Sequence, residues 1–175
     1  MKIEIERLTE EGEDFERVYA PGDLLLKDEH ASLAANARVW GHASRKRDEV
    51  RLAGNIDTTV ELLCDRCAAP TTRPVNVEFK AELGLAAPSE GDADGIELHD
   101  ADMDFSTYEG DAVVLDEIVR EQILLALPTR QLCTEECKGL CPTCGANLNE
   151  QSCDCERETI DPRWSALAEL KNRES

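Results

Sequence analysis

The sequence predicts an α+β protein, in which an antiparallel β-sheet carries a packed helix and is followed by a cysteine-rich module. Three observations predict this fold. Apolar residues alternate with polar ones through most of the first 85 residues, one stretch near residue 120 has helical periodicity, and the eight cysteines form four closely spaced pairs. We therefore divide the chain into a sheet domain (1–85), an acidic linker or insertion (86–112), and a C-terminal part (113–175) with a helix, the cysteine module and a final helix that packs on the sheet domain.

Four runs with a period of two residues predict the strands of the sheet domain. Such alternation gives a strand one buried and one solvated face. The four runs are KIEIERL, SLAANARVW, VRLAGNIDTTVELL and VNVEFKAEL. Between them, GHASRKRDE (41–49) predicts a hairpin loop, and CDRCAAPTTRP (64–74) predicts a turn because of its prolines and cysteines. The segment APGDLLLKDEH breaks the alternation and predicts a loop or a short helix.

The second half of the chain starts with an acidic stretch and contains two predicted helices. Residues 90–111 hold nine acidic side chains and no Lys or Arg, which is typical of a solvated linker. The stretch VVLDEIVREQILLALP then shows a helical apolar stripe that ends at Pro128. Near the end of the sequence, Asp161 is a good N-cap and Pro162 suits the first helical position, so DPRWSALAELKN predicts a final helix.

The charge of the chain indicates which kind of partner it prefers. Lys and Arg number 19 against 38 Asp and Glu, which gives a net charge of −19. Such a surface repels phosphate, and non-specific nucleic-acid binding depends on Lys and Arg neutralising phosphates. The composition therefore favours a basic partner over broad contact with nucleic acid.

The expected compartment decides how the cysteines are interpreted. No stretch approaches the roughly 18 apolar residues of a membrane span. The N-terminal residues contain no apolar segment of the signal-peptide type. We expect a cytoplasmic protein without a membrane partner, and in a reducing compartment closely spaced cysteines are more typical of metal binding or redox chemistry than of structural disulfides.

The strongest motif is CPTCG, followed by CDC. Two cysteines three residues apart can hold one ion from a tight turn, and the glycine after them permits a positive φ. With the CDC pair they provide four thiolates, the number that a structural zinc ion requires. We therefore predict a zinc-ribbon-like module with a first metal site, site 1, which consists of Cys141, Cys144, Cys153 and Cys155.

The other four cysteines leave two alternatives open. If the pairs CDRC and CTEEC meet, they form a second four-sulfur site, site 2, which consists of Cys64, Cys67, Cys133 and Cys137. Alternatively, Cys133 or Cys137 completes the local site and the remaining cysteines are free thiols. We therefore expect one or two Zn²⁺ ions.

The sequence offers no candidate for catalysis and one candidate for RNA contact. The three histidines lie outside any Ser, Asp or Glu constellation, no glycine-rich phosphate loop is present, and four-cysteine sites leave no position for a reacting water. We predict a non-enzyme without a small-molecule substrate. The predicted hairpin loop is basic, and its tip could contact RNA through four side chains: Trp40, Arg45, Lys46 and Arg47.

Three phrases together resemble one known family. CDRC, LPTRQLCTEECKGLCPTCGANLNEQSCDC and DPRWSALAEL are similar to the YceD family (DUF177), also called large ribosomal RNA subunit accumulation proteins. The resemblance covers most of the chain and is concentrated in residues 64–67 and 113–170. It implies a bacterial cytoplasmic protein that promotes synthesis, processing or accumulation of 23S rRNA and assembly of the large ribosomal subunit.

The resemblance and the composition together suggest a mode of action. An acidic, non-catalytic, zinc-binding protein suits a factor that binds a large-subunit ribosomal protein or a precursor particle, with rRNA contact through the basic hairpin left open. Two alternatives remain: a direct RNA-binding zinc module, and a thiol/zinc redox sensor in which oxidation of the thiolates releases the metal.

Overall fold

The computed structural model describes residues 1–85, 106–108 and 110–155. Eight strands and one helix lie in this part of the chain. The strands are β1 (Lys2–Glu4), β2 (Glu13–Tyr19), β3 (Ala31–Leu33), β4 (Ala37–Lys46), β5 (Glu49–Leu63), β6 (Pro70–Leu85), β7 (Ser106–Tyr108) and β8 (Ala112–Val114), and the helix is α1 (Leu115–Ala126). A 3₁₀ turn, Ile5–Arg7, follows β1. The predicted α+β class is confirmed, with a sheet that is mostly antiparallel.

The main sheet is built around the long hairpin of β5 and β6. Its strand order is β2-β4-β5-β6-β7, and β3 pairs with the end of β5 beyond β4. All pairs are antiparallel except β6 with β7. A separate two-stranded antiparallel sheet joins β1 to β8. The order places the two longest strands in the middle, where each is paired on both sides.

The core lies on one face of the main sheet, as the alternation predicts. Along β5 every second residue from Val50 to Leu62 is buried, and the residues between them are more exposed. Helix α1 packs on β6 and β1. It buries Leu115, Val119 and Ile123, which recur at the four-residue spacing of one helix face.

Several local predictions differ from the structure. The run KIEIERL is strand only from Lys2 to Glu4, and the predicted turn at 64–74 ends at Ala69 because β6 begins at Pro70. The predicted loop at 41–49 is mostly strand, because β4 runs to Lys46 and β5 begins at Glu49. The hairpin closes through Arg47 and Asp48 alone, with Arg47 at a φ of 57°. The polar residues that suggested a loop lie largely on the solvent face of a regular ladder. Strand β2, which the alternation did not reveal, is an edge strand with only Phe15 and Tyr19 buried.

The chain divides into two compact units. The first contains Met1–Leu63 and Pro70–Gln131, and the second contains Cys64–Ala69 and the cysteine region from Leu132 onward. The predicted final helix at 161–172 lies outside the described residues, as does most of the predicted acidic linker, so the domain boundaries at 85 and 112 stay predictions. The described residues include no helix that combines the length and the apolar character of a membrane span.

Candidate metal centre

The structure gathers the eight cysteines into two quartets, site 1 and site 2. The four sulfurs of site 2 (Cys64, Cys67, Cys133, Cys137) all lie within 4.8 Å of one another, and so do those of site 1 (Cys141, Cys144, Cys153, Cys155). All eight are free thiols rather than disulfides. Of the two alternatives for the remaining cysteines, the structure has the one in which the CDRC and CTEEC pairs meet.

The distances within site 2 suit a tetrahedral metal centre. The Sγ atoms of Cys64 and Cys137 are 3.7 Å apart, and those of Cys67 and Cys133 are also 3.7 Å apart. Metal–sulfur bonds of about 2.3 Å place the sulfurs of a tetrahedral centre about 3.8 Å apart, whereas a disulfide requires about 2.0 Å. The donor set and its spacing therefore fit a metal ion, and each quartet can hold one.

The first two cysteines of each site lie on loops with the same backbone hydrogen bonds. In site 1 the N–H of Cys141 donates to the carbonyl of Ala146, and the N–H of Gly145 donates back to Cys141. In site 2 the N–H of Cys64 donates to Ala69, and the N–H of Ala68 donates back to Cys64. We call these two loops, 141–146 and 64–69, the knuckles.

Each knuckle turns through a residue with positive φ directly after its second cysteine. Gly145 has a φ of 72°, and Ala68 has a φ of 54° in the equivalent place. Glycine adopts this conformation without a steric penalty, whereas alanine does not. The sequence revealed the turn in CPTCG through its glycine, but CDRCA carries no such signal.

The segment between Cys137 and Cys141 packs against the 64–69 knuckle. Gly139, at a φ of 77°, lies so close to Arg66 that a Cβ there would be 3.0 Å from the Arg66 carbonyl oxygen. The N–H of Leu140 donates to that same carbonyl at 3.1 Å. The Arg66 guanidinium donates to the carbonyl of Cys137 at 2.6 Å. A glycine at position 139 and an arginine at 66 therefore bring Cys137 next to Cys64.

Asn149 is a further supporting residue that the sequence reasoning missed. Its amide nitrogen donates to the sulfur of Cys137 at 3.3 Å, and its amide oxygen accepts from the N–H of Lys138 at 2.8 Å. Donation to sulfur stabilises a thiolate, which is the form that binds metal. The only signal in the sequence was the position of the NLN segment between the two cysteine pairs of site 1.

Within site 2 the backbone distributes the protons unevenly among the thiols. Burial raises the pKa of Cys64, but backbone N–H donors, first that of Cys133 and then that of Arg66, outweigh burial and lower it to about 6. The N–H of Ala69 lowers the pKa of Cys67, whereas burial and the neighbouring thiols raise it to about 12. Burial also raises the pKa of Cys137, but hydrogen bonds from Asn149 and from the N–H of Gly139 outweigh burial and lower it. Cys64 and Cys137 are therefore prepared as thiolates, whereas Cys67 keeps its proton until a cation replaces it.

Site 1 also contains one thiol with a strongly lowered pKa and one with a strongly raised pKa. Backbone N–H donors, first that of Cys144 and then that of Thr143, lower the pKa of Cys141 to about 6. The pKa of Cys155 is raised to about 12, first by its hydrogen bond with Cys144 and then by burial. In both sites the first cysteine of the knuckle is the thiol that the backbone prepares for a cation.

The four residues predicted to contact RNA do not form one surface. Trp40 lies on the solvent face of β4, about 20 Å along the strand from Lys46. Arg45 points to the opposite face, where its guanidinium donates to the carbonyls of Arg47 at 2.7 Å and Ile5 at 3.4 Å. Lys46 is exposed. The structure therefore separates the aromatic ring from the basic tip, and an RNA contact stays a prediction.

One known family matches the part of the sequence that contains both cysteine sites. Residues 52–171 match the family described as large ribosomal RNA subunit accumulation protein YceD. This chain belongs to the YceD family. The matched range contains all eight cysteines, so both sites lie within the part of the chain that the family shares.

Individual relatives show the same similarity. A chloroplastic protein of Arabidopsis thaliana named large ribosomal RNA subunit accumulation protein YCED homolog 1 is 28% identical over 74% of this chain and 46% of its own length. The protein of that name from Zea mays is 30% identical over 67% of this chain and 47% of its own. This chain thus spans about half the length of these plant relatives. YlbN of Bacillus subtilis is 26% identical over 95% of this chain and 92% of its own length. No solved structure matches the chain.

Proposed function

We propose that this protein promotes accumulation of 23S rRNA and assembly of the large ribosomal subunit as a non-catalytic binding factor. The observation that carries the proposal is the match of residues 52–171, with both cysteine quartets, to a family named for accumulation of the large-subunit RNA. The plant relatives that match most of this chain carry the same name.

Zinc is the metal that we assign to both quartets. Four thiolates in a tetrahedron are typical of structural zinc sites. Among its described residues, the second compact unit has little apolar surface to bury, since the buried cluster there consists of Cys64, Cys67 and Cys137 with a few partly buried neighbours. Structural zinc provides about 10–16 kcal/mol of binding free energy, which can replace a missing apolar core. We therefore regard this unit as a zinc-ribbon-like module that folds around its metals.

The chemistry of the sites favours binding over catalysis. A zinc ion with four protein thiolates has no open coordination position for water or substrate. Both ring nitrogens of His42 are within hydrogen-bond distance of a partner: Nδ1 of the Asp14 carboxylate and Nε2 of the Glu11 carbonyl. We accordingly propose no enzymatic activity and no small-molecule substrate.

The charge indicates the partner. Each zinc–tetrathiolate centre carries about −2, so two of them would change the net charge from −19 to about −23. Ribosomal proteins are basic because they bind RNA, and an acidic surface attracts them at long range. We propose a large-subunit ribosomal protein, alone or on a precursor particle, as the partner, in the cytoplasm of a bacterium.

Capture from the host lysate tests this function. The tagged protein is purified with and without RNase, and bound proteins and RNA are identified. We expect large-subunit proteins and precursor rRNA, with the proteins retained after RNase. A variant in which Cys64 and Cys67 are both changed to Ser serves as the metal-site control and should capture less. Absence of every large-subunit component from the wild-type capture contradicts the proposed function.

A redox role is the second candidate, and one observation favours it. Cys144 of site 1 is exposed, whereas site 2 has no exposed cysteine, since Cys133 is half-buried and the other three are buried. An oxidant would therefore reach site 1 first. Mild peroxide treatment should then release one zinc per protein well before the second, measured with a zinc-sensitive dye. Full retention of zinc under peroxide contradicts a redox sensor.

A further inference from the structure

The solvent face of the main sheet carries a tryptophan that the core does not use. Trp40 lies in β4, between its two paired neighbours β2 and β5, and it is half-buried on the face opposite the core. Its neighbour Val39 points into the core and is fully buried. A large aromatic side chain on a solvent face is a common anchor for a partner protein.

Trp40 forms one wall of a cleft on this face. The cleft has a volume of about 550 Å³, and Gly41, Ala53 and Gly54 line it without bulky side chains. A Cβ on Gly41 would lie 2.2 Å from the carbonyl oxygen of Ala53. Gly41 and Gly54 belong to the core-facing register of β4 and β5, so the depression beside the ring comes from the small side chain of Ala53 on the solvent face.

Carboxylates lie at both ends of the cleft. The strand register places four residues in one row across the sheet: Glu16, Trp40, Asn55 and Glu78. Four adjacent strands at about 4.8 Å spacing separate the Cα atoms of Glu16 and Glu78 by about 14 Å. Glu78 forms no ion pair within the described residues. The row therefore presents an aromatic ring and an amide between two acidic side chains.

The molecule already holds one guanidinium at this ring. Arg38 lies 5.1 Å from the ring centroid of Trp40, and its Nε donates to Glu16 at 2.8 Å. The ring and its neighbouring carboxylate thus accommodate a cation in the manner of cation–π contacts. Arg38 does not line the cleft, which extends from the ring towards His42 and Ala53.

We propose that this cleft, which we call the Trp40 cleft, binds an extended, basic segment of a partner protein. Residues i and i+4 of an extended chain lie on the same side and about 13–14 Å apart, which matches the span from Glu16 to Glu78. Two Arg or Lys residues at this spacing would reach Glu78 beside Trp40 at one end and, at the other end, Glu16, whose carboxylate the second cation would share with Arg38. The inference rests on the proposed function, because it names the surface that recognises a basic ribosomal protein.

A basic peptide fits this cleft better than RNA does. Asp14, Glu16 and Glu78 line the cleft; Asp14 faces His42 and Glu16 faces Arg38, whereas Glu78 has no ion pair within the described residues, and the whole chain carries −19. Carboxylates beside a stacking ring repel the phosphates of a nucleic acid and attract Arg and Lys. RNA binding at Trp40 is therefore an outcome that the test must detect rather than the expected one.

Peptide binding to the zinc-loaded, full-length protein tests the inference. The probe is a fluorescein-labelled nonapeptide of Gly and Ser with Arg at positions 3 and 7, and binding is followed by fluorescence anisotropy at low salt. We expect Trp40→Ala to weaken binding about tenfold and Glu78→Gln about threefold. Glu61→Gln removes the same charge about 20 Å away along β5 and should leave binding unchanged. A peptide with both Arg residues replaced by Ser should not bind.

Three results would overturn the inference. The first is equal peptide affinity of the wild type and Glu78→Gln. This comparison remains valid even if Trp40→Ala fails to fold. The second is an equal loss in Glu61→Gln and Glu78→Gln, since net charge alone would then explain binding. The third is a labelled single-stranded RNA that binds through Trp40 while the peptide does not. Each can occur while the wild type still captures large-subunit proteins, so failure of the cleft and failure of the proposed function remain distinguishable.

Discussion

Exchanging the residues at the turns of the two knuckles should change the zinc affinities of the two sites in opposite directions. Ala68 and Gly145 occupy the same place after the second cysteine, with φ values of 54° and 72°. We therefore consider two substitutions. Ala68→Gly removes the backbone strain at the turn of site 2, and Gly145→Ala introduces such strain at the turn of site 1.

The expected change in zinc affinity follows from the backbone free energies of alanine and glycine. An alanine in the left-handed conformation costs about 1–2 kcal/mol. Glycine removes that cost but adds about 0.4–1 kcal/mol of conformational entropy to the unfolded chain. The net gain for Ala68→Gly is about 0.5–1 kcal/mol, or about two- to fivefold in zinc affinity if the knuckle forms only around its metal. A Cβ on Gly145 meets no atom within 4 Å, so Gly145→Ala should lose about the same amount without a steric clash.

The assay is competition with a zinc chelator of known affinity. Each substitution is measured with the other site disabled, so Ala68→Gly is combined with Cys144→Ser and Gly145→Ala with Cys67→Ser. Tighter zinc binding at site 2 together with weaker binding at site 1 supports the common knuckle geometry. Unchanged or weaker binding in Ala68→Gly refutes the reasoning, because it would mean that the positive φ at Ala68 is not strained.

Three further predictions concern the same two units. Cys137→Ser and Cys144→Ser should each lower the zinc content, measured by mass spectrometry under native conditions, from two ions to one; two ions in either variant would contradict the quartets. Because each quartet contains a thiol whose pKa is raised to about 12 and whose proton zinc must displace, zinc affinity should fall at least tenfold per pH unit from pH 8 to pH 6, and a flat profile in chelator competition would disprove this. Tyr19→Phe removes a 2.6 Å hydrogen bond to the carboxylate of Asp116 and should cost about 1.5–3 kcal/mol in urea unfolding. The matched control Tyr108→Phe, which loses a 3.2 Å bond to a carbonyl, should cost less, and equal losses would contradict the role of the charge.

The elements that the sequence predicted well are those with a strong period. Helix α1 was identified because Leu115, Val119 and Ile123 recur on one face, and these three side chains are fully buried. The β5 pattern was equally clear, since its apolar residues alternate over 15 residues. In both cases one element contributes many buried side chains to the core, so its own sequence carries the signal.

The elements that the sequence missed contribute little to the core or depend on distant partners. Strand β2 buries two side chains out of seven, because it lies at an edge of the sheet. Strands β7 and β8 have three residues each and form through pairing with β6 and β1. Likewise, the meeting of Cys64 with Cys137 joins residues 73 positions apart, and no local pattern encodes it.

The 64–69 knuckle illustrates why a preference for glycine at the turn is not enough to identify a metal site. The sequence CPTCG indicated a metal-binding turn because glycine suits a positive φ, whereas CDRCA has alanine there and was assigned to site 2 through its cysteine spacing alone. The strain at Ala68, about 1–2 kcal/mol, is small beside the roughly 10–16 kcal/mol that a structural zinc ion provides. A bound metal can therefore impose a backbone conformation that the local sequence disfavours. It follows that the cysteine spacing, which fixes where the sulfurs can lie, is a better guide to a site of this kind than the residue at its turn.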